Sequence, residues 1–165
     1  MELLNTSGVR LHALLARLTL SEDVVGDLMQ ELFIRLCRSR GFSKARDPFA
    51  YAYRVAINLA FEWRRSVRPK FQSLDEDCLP AANPRSSLDV MIQTEELQRV
   101  LDATSQLNSL ARDVVVMHYI EQKPYDEIGR RLGKKPQYLR SLSAKALARL
   151  RTLLADEKDS SIPEG

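Results

Sequence analysis

The sequence predicts an all-α protein in which two small helical domains are joined by a flexible linker. In both halves of the 165-residue chain, leucine, valine and isoleucine recur at the i, i+3, i+4 spacing of one helix face. The first half shows no strand-like alternation, and a stretch rich in proline and serine separates the two helical halves. The length suits one ordinary domain or two small ones.

The composition is that of an ordinary soluble globular protein, with 44% hydrophobic and 28% charged residues. No apolar run approaches the roughly 20 residues of a membrane helix, and the first ten residues show no secretory signal. Cys37 and Cys78 are too few and too far apart for a disulfide framework or a zinc cluster. We therefore expect a cytoplasmic protein with no metal, no cofactor and no membrane insertion.

Charge is unevenly distributed along the chain. Residues 1–70 carry 12 basic and 7 acidic side chains, residues 71–106 carry 2 and 7, and residues 107–165 carry 11 and 8. Two basic blocks separated by an acidic one suit two domains that face a polyanion. Charge also fluctuates along any chain, so this pattern alone leaves nucleic-acid binding open.

The first half reads as a series of helices. Val9–Leu20 forms the first, and Ser21 is a candidate cap for the second, whose apolar stripe is almost unbroken. Residues 38–46 break the pattern and predict a basic loop. Asp47, followed by a proline, then caps a helix that runs to about Val67.

The periodicity disappears and returns, which predicts a domain boundary. Prolines, serines and a run of acids mark a flexible acidic linker. The predicted units are a helical domain at 1–70, the linker at 71–93, a second helical domain at 94–157 and a disordered tail at 158–165.

The second half predicts a helix-turn-helix. Thr94 is a plausible cap, and either Asn108 or the serine after it caps the next helix. Pro124 begins a short helix, a turn containing Gly133 follows, and Pro136 begins a long basic helix, which is the helix-turn-helix arrangement. A further glycine inside the short helix, at position 129, indicates a close packing contact.

The outer side of this element is strongly basic. No acid occurs between Ile128 and Ala155, whereas a merely solvated helix normally mixes both signs of charge. Arg140 can pair with guanine and Gln137 with adenine, and neighbouring basic residues suit phosphates. The predicted duplex-binding residues are Arg130, Arg131, Lys134, Lys135, Gln137, Tyr138, Arg140, Ser141 and Lys145.

The motifs of both halves resemble one family. D-L-M-Q-E-L-F at 27–33 and Y-R-V-A-I-N-L-A at 53–60 are similar to region two of extracytoplasmic-function sigma factors of the sigma-70 family. L-x-x-L-A-R-D-V at 107–114, Y-D-E-I-G at 125–129 and L-R-S at 139–141 resemble region four. The two sets occur in the family's order, and that ordered pair is a specific signal.

The resemblance implies roles for particular residues. An outward polar face would dock on core RNA polymerase through Asp27, Gln30, Glu31 and Arg35. A pocket for a base flipped out of the −10 element, together with contacts to the opening strands, would comprise Phe42, Ser43, Lys44, Arg46, Arg54, Asn58, Arg64 and Arg65. An unstacked base needs an apolar wall and an amide that reads its edge, although Phe42 also fits a plain core position.

The function that the resemblance implies is that of an alternative sigma factor, which is not an enzyme. Its expected partners are core RNA polymerase and promoter DNA, with an anti-sigma factor as a further candidate and no small-molecule substrate. The alternative is a two-domain helix-turn-helix regulator that does not bind the polymerase. Such a regulator has no need of the Q-E helix or of the basic loop.

Overall fold

The computed structural model describes the backbone of residues 2–71 and 87–159, and the side chains of residues 7–67 and 93–156. Helices, and no strands, make up the regular structure of these backbone ranges. In chain order the elements are α1 (Glu2–Thr19), a 3-10 turn (Glu22–Val24), α2 (Val25–Arg38), α3 (Arg40–Ser43), α4 (Pro48–Phe71), α5 (Ser87–Ser105), α6 (Ser109–Val115), a π-helical turn (Val116–Ile120), α7 (Tyr125–Leu132) and α8 (Pro136–Asp159). The predicted all-α class is confirmed.

Two of the predicted helix caps are confirmed and two are wrong, one of which is Thr94, because it lies inside α5. The Asp47 carboxylate accepts a hydrogen bond from the Ala50 amide at 2.9 Å, and the Asn108 side chain accepts one from the Ala111 amide at 2.9 Å. Ser21 makes no side-chain cap, because the chain enters α2 through the 3-10 turn instead.

Several boundaries differ from the prediction. Helix α5 begins at Ser87 rather than at Thr94, and α4 continues to Phe71 instead of ending near Val67. Ser87 and, two residues later, Asp89 suit the first turn of a helix. The prolines that precede them had placed this stretch in the predicted linker. The predicted loop at 38–46 contains the short α3. The middle of the predicted linker and the last six residues lie outside the described ranges.

The two halves of the chain share one hydrophobic core. Helices α1, α2 and α4 bury a layer of leucines together with Tyr53, Ile57 and Phe61. The same cluster continues into the second half through Leu101, Val114, Val116, Met117, Ile128, Leu132 and Leu139. A second, smaller cluster holds α5, α6 and α8 together through Ala103, Ala111, Val115, Ala146, Leu150 and Leu153. The halves therefore pack against each other.

The helix-turn-helix forms as predicted, and two glycines shape it. Gly133 ends α7 with a left-handed backbone, at φ 64°, which glycine adopts without steric cost. Gly129 faces the turn, and a Cβ built on it would lie 2.6 Å from the Lys134 carbonyl oxygen. The Lys134 amide also donates to the Gly129 carbonyl at 3.0 Å. The predicted close contact at Gly129 is confirmed, with the turn as its partner.

Candidate nucleic-acid interface

Helix α8 presents one polar, basic face to solvent. Leu139, Ala146 and Leu150 are buried on its inner side, which turns the remaining positions outward. The exposed residues are Lys134, Lys135, Gln137, Tyr138, Arg140, Ser141 and Lys145. This continuous surface begins at the turn and follows the N-terminal part of the helix, the part that reaches base edges in helix-turn-helix proteins.

Arg140 has a defined orientation on this face. Its guanidinium lies 5.7 Å from the centre of the Tyr125 ring at the start of α7, which is a cation–π distance. Tyr125 is itself held by His118, whose ring stacks on it at 4.0 Å and bonds the Lys123 carbonyl at 2.8 Å. A histidine that the sequence left without a role thus orders the entry to the helix-turn-helix.

The two arginines of α7 have different surroundings. Arg130 is exposed, as predicted. Arg131 is largely buried: it pairs with Glu127 at 2.8 Å, and its guanidinium lies 5.6 Å from the ring centres of both Phe49 and Tyr53. The structure corrects the expectation that Arg131 lies along the free surface, because aromatic rings from the first half cover it.

The predicted docking face lies on the outside of α2. Asp27 and Gln30 are exposed, and Arg35 bridges two acids, donating to Glu31 at 2.8 Å and to Glu62 of α4 at 2.8 Å. These hydrogen bonds raise the pKa of the Arg35 guanidinium above its usual range. Pairs this exposed add little stability, so their main effect is to set the shape of the face.

Apolar side chains border that polar face. Phe33 is 42% exposed and Ile34 is 44% exposed. Glu62 was missed altogether, since no local pattern links a residue of α4 to α2. Exposed apolar residues beside ordered charges are typical of a surface that binds a protein.

The short helix α3 and the turn after it carry the first group of predicted −10 residues. Ser43, Lys44 and Arg46 are exposed, and Phe42 is half-buried. The Phe42 ring lies 5.9 Å from the Tyr51 ring and forms part of the wall of an apolar groove of about 280 Å³ between α1, α2 and α4. Phe42 therefore offers an apolar wall next to exposed cations.

The second group lies on α4 and faces the C-terminal half. Arg54 donates from Nε to the Asp113 carboxylate at 3.1 Å. One turn further along, the Asn58 side-chain oxygen accepts a hydrogen bond from Arg112. Asn58 does not line the groove of Phe42, so the structure does not bring the predicted base-reading amide to the predicted aromatic wall.

Arg64 is placed differently from the prediction. It is 5% exposed, and its guanidinium donates to the Leu18 carbonyl at 3.1 Å, to Gln98 Oε1 and to Asp102 at 2.8 Å. Arg64 therefore ties α4 to α1 and α5 and is not free to hold phosphate in this arrangement. The sequence grouped Arg64 with the neighbouring basic residues as a DNA contact, whereas its hydrogen-bond partners come from distant parts of the chain.

Burial controls the ionisation of the acid and the base that α6 supplies to this contact. Desolvation raises the pKa of Asp113 above its usual 3.8, with Arg54 and then Arg112 opposing the shift. Desolvation also lowers the pKa of Arg112 below its usual 12.5. Burying Arg112 and Asp113 at this contact costs free energy, because burial disfavours the charged form of each side chain.

One cleft gathers residues from both predicted DNA sites. Arg46 and Arg54 from the first half and Arg130 and Arg131 from the second line a cavity of about 860 Å³. Asp47 also lines this opening, and Arg54 and Arg131 are already paired with Asp113 and Glu127. The remaining excess of positive charge favours an anionic ligand.

In the ranges given above, no helix is long and apolar enough to cross a membrane. Within those same residues, no three histidine, cysteine or acidic side chains come together in a way that would hold a metal ion.

Two family models match the chain in the order of its two halves. Residues 3–69 match sigma-70 region 2, and residues 97–150 match sigma-70 region 4. Together these segments make up more than half of the protein, so the chain belongs to the sigma-70 family of RNA polymerase sigma factors. It is an alternative sigma factor of the extracytoplasmic-function type, and its class directs transcription initiation with RNA polymerase. Members of this class are generally non-catalytic regulators.

Named relatives agree with this assignment. RNA polymerase sigma factor CarQ of Myxococcus xanthus is 27% identical over 89% of this chain and 84% of its own length. RNA polymerase sigma-E factor of Streptomyces antibioticus is 32% identical over 76% of this chain and 67% of its own length. The ECF RNA polymerase sigma factor SigE of Mycolicibacterium smegmatis is 32% identical over 93% of this chain and 61% of its own length.

A solved structure also aligns with the chain. The sigma factor RpoE, crystallised with the anti-sigma factor NepR from Bartonella quintana, is 21% identical, with 93% of this chain and 94% of that chain covered and a TM-score of 0.46.

Proposed function

We propose that this sigma factor reads duplex DNA of the −35 element with α8 and captures the −10 element with α3, the turn after it and α4. The exposed face of α8 is the observation that carries the proposal. Its donors are exposed on the outer side of the helix, and no acid occurs in the sequence from Ile128 to Ala155. Arg140 and Gln137 contact base edges, while Arg130, Lys134 and Lys135 contact phosphates.

In the proposed −10 site, Phe42 supplies the apolar wall and Lys44 and Arg46 supply positive charge beside it. Lys44 and Arg46 are supported by their exposure, and the half-buried Phe42 by its place in the wall of the apolar groove beside them. Arg54 and Asn58 complete the site once they are released from α6. Arg64 is left out, since its contacts are internal.

Docking on core polymerase falls to the outward face of α2. Asp27, Gln30 and the Glu31–Arg35 pair present ordered polar groups, with the half-exposed Ile34 beside them. The protein acts as a non-enzymatic subunit in the cytoplasm. An anti-sigma factor is a candidate further partner, because covering this face would block access to the polymerase.

The docking role is tested by Gln30→Ala combined with Glu31→Ala. We expect the double variant to keep its helicity, because both side chains lie on the outer surface of α2, and to compete at least several-fold less well for core polymerase. Glu22→Ala is the matched control, since Glu22 is also exposed and its loss also removes one negative charge. Unchanged competition by the double variant would refute the docking role.

Run-off transcription with core polymerase and a genomic promoter library tests the function as a whole. Transcripts should appear only when this protein is added, and their start sites define the promoters that it reads. Loss of those transcripts in Arg140→Ala, with core binding intact, would separate promoter reading from docking.

A further inference from the structure

The side chain of Arg140 is held in place by an aromatic ring. Arg140 is exposed on the outer face of α8, and its guanidinium lies over the Tyr125 ring, 5.7 Å from the ring centre. Among the side chains that the structure describes, none forms a hydrogen bond or an ion pair with Arg140. Arg131, by contrast, also pairs with Glu127 at 2.8 Å. Arg140 therefore combines a fixed position with N–H groups that are available to a ligand.

The Tyr125 ring is itself fixed by two further rings. His118 stacks on it with the ring centres 4.0 Å apart and the planes at 22°, and Tyr119 meets His118 edge-on at 4.7 Å. Both arrangements are favourable for aromatic pairs. The Ser143 hydroxyl of α8 also donates to the Tyr119 hydroxyl at 3.4 Å. The aromatic cluster, defined as Tyr119, His118 and Tyr125, therefore connects the π-helical turn to both helices of the helix-turn-helix.

The backbone that carries this cluster adopts two rare conformations. Residues Val116–Ile120 form the π-helical turn, and Gln122 has a left-handed backbone at φ 53°. The Lys123 amide donates to the Met117 carbonyl at 2.9 Å, and the Lys123 carbonyl bonds His118 Nδ1 at 2.8 Å. A π turn and a left-handed non-glycine residue both cost free energy and are most frequent at functional sites. The chain accepts local strain in the segment that positions His118.

An arginine that is ordered before binding reads a base at a lower entropic cost. A free arginine side chain must give up its rotamer freedom when it binds. A guanidinium that lies over an aromatic ring has already given up part of that freedom. A bidentate contact with guanine O6 and N7 also requires the fork of the guanidinium to lie in one orientation. Tyr125 therefore favours the correct base pair through its effect on Arg140.

We propose that Tyr125, braced by His118, is a positioning residue for specificity at the −35 element, because it holds the Arg140 guanidinium ready to read one base pair. The inference rests on the base contact that the proposed function gives to Arg140. Tyr125 and His118 act through Arg140 and contribute nothing to the phosphate contacts. Loss of the aromatic cluster lowers discrimination at that one base pair and leaves binding to the DNA backbone unchanged.

The test separates the ring of Tyr125 from its hydroxyl. Tyr125→Leu removes the ring, whereas Tyr125→Phe is the matched control, because it keeps the ring and removes only the hydroxyl. His118→Gln keeps an amide donor for the Lys123 carbonyl but removes the stacked ring. It leaves α7 unchanged and therefore serves as the second variant if Tyr125→Leu loses helicity. All three substitutions are also made in the Arg140→Ala background.

Discrimination is measured with the full chain bound to core polymerase. Run-off transcription is followed in competition between two templates that differ only at the −35 base pair where Arg140→Ala relaxes the preference. We expect Tyr125→Leu to lower the ratio of the two transcripts about two- to fivefold, which corresponds to the strength of an exposed cation–π contact. Tyr125→Phe should match wild type, and His118→Gln should fall between the two. In the Arg140→Ala background, none of the substitutions should change the ratio.

The possible failures differ from one another. An equal loss of both transcripts in Tyr125→Leu, with their ratio unchanged, would show a merely structural role and overturn the inference while the base contact of Arg140 stands. A lowered ratio that persists in the Arg140→Ala background, or an equal loss in Tyr125→Phe, would also overturn it. If Arg140→Ala relaxed the preference at no −35 base pair, the proposed base contact would be wrong and the inference would fall with it.

Discussion

Replacing Gly129 by alanine tests whether the helix-turn-helix angle depends on a missing side chain. The new Cβ would meet the Lys134 carbonyl oxygen at 2.6 Å, a distance that real Cβ atoms essentially never show. The obstacle is backbone, and it belongs to a turn that the left-handed Gly133 already constrains. The turn must therefore move, and α8 must move with it.

The expected magnitude follows from two opposing effects. Alanine is better than glycine inside a helix by about 1 kcal/mol, whereas overpacking of this kind costs about 1–3 kcal/mol. The net change is a loss of up to about 2 kcal/mol in the free energy of unfolding. For a chain of this size, each 1 kcal/mol lowers Tm by about 2–4 °C.

Gly8→Ala is the matched control. Gly8 also lies inside a helix, but a Cβ built there meets nothing within 4 Å. This variant should gain about 0.5–1 kcal/mol from the lower entropy of its unfolded chain. Thermal and urea unfolding, followed by circular dichroism, give both changes on the same scale.

Opposite signs for the two variants are the expected result, and Gly129→Ala should also weaken −35 duplex binding because it re-aims α8. If Gly129→Ala stabilised the protein as much as Gly8→Ala does, the close contact would not exist and the reasoning would be refuted.

The remaining predictions concern DNA reading and buried charge. Arg140→Ala should cost about 1–3 kcal/mol at one base pair and relax the preference there, as measured by competition with base-substituted duplexes; a uniform loss over all sequences would contradict a base contact. Lys134→Ala should instead weaken binding to every sequence and reduce the salt slope by about 1, as measured by titration across salt concentrations. Burial raises the pKa of Asp113, while the facing Arg54 and Arg112 oppose the shift. The contribution of this raised pKa to the free energy of unfolding is therefore fully present below pH 3.8, and it is lost as the pH rises through the raised pKa. Asp113→Asn should remove that part of the pH dependence of Tm, and an unchanged slope would show that Asp113 does not titrate there.

Local patterns were enough to predict the helices and the helix-turn-helix. Helix faces, the caps at Asp47 and Asn108, and the turn at Gly133 depend on residues within about four positions of one another, so the sequence displays them directly. The exposed row on α8 was predictable for the same reason, because the periodicity of its leucines determines which side faces outward. The sequence motifs also indicated the order of regions two and four along the chain and the family to which the chain belongs.

The all-α class, the helix-turn-helix and the family therefore follow from the sequence alone. Which basic residues are exposed and which are buried against partners becomes clear only from the packing of the helices. Arg64 and Arg131 read like their basic neighbours in the sequence, yet one is buried on Asp102 and the other lies over the rings of Phe49 and Tyr53. The physical reason is that burial and pairing of a charge depend on groups brought close by packing between helices far apart in the chain, and no short-range spacing encodes those partners.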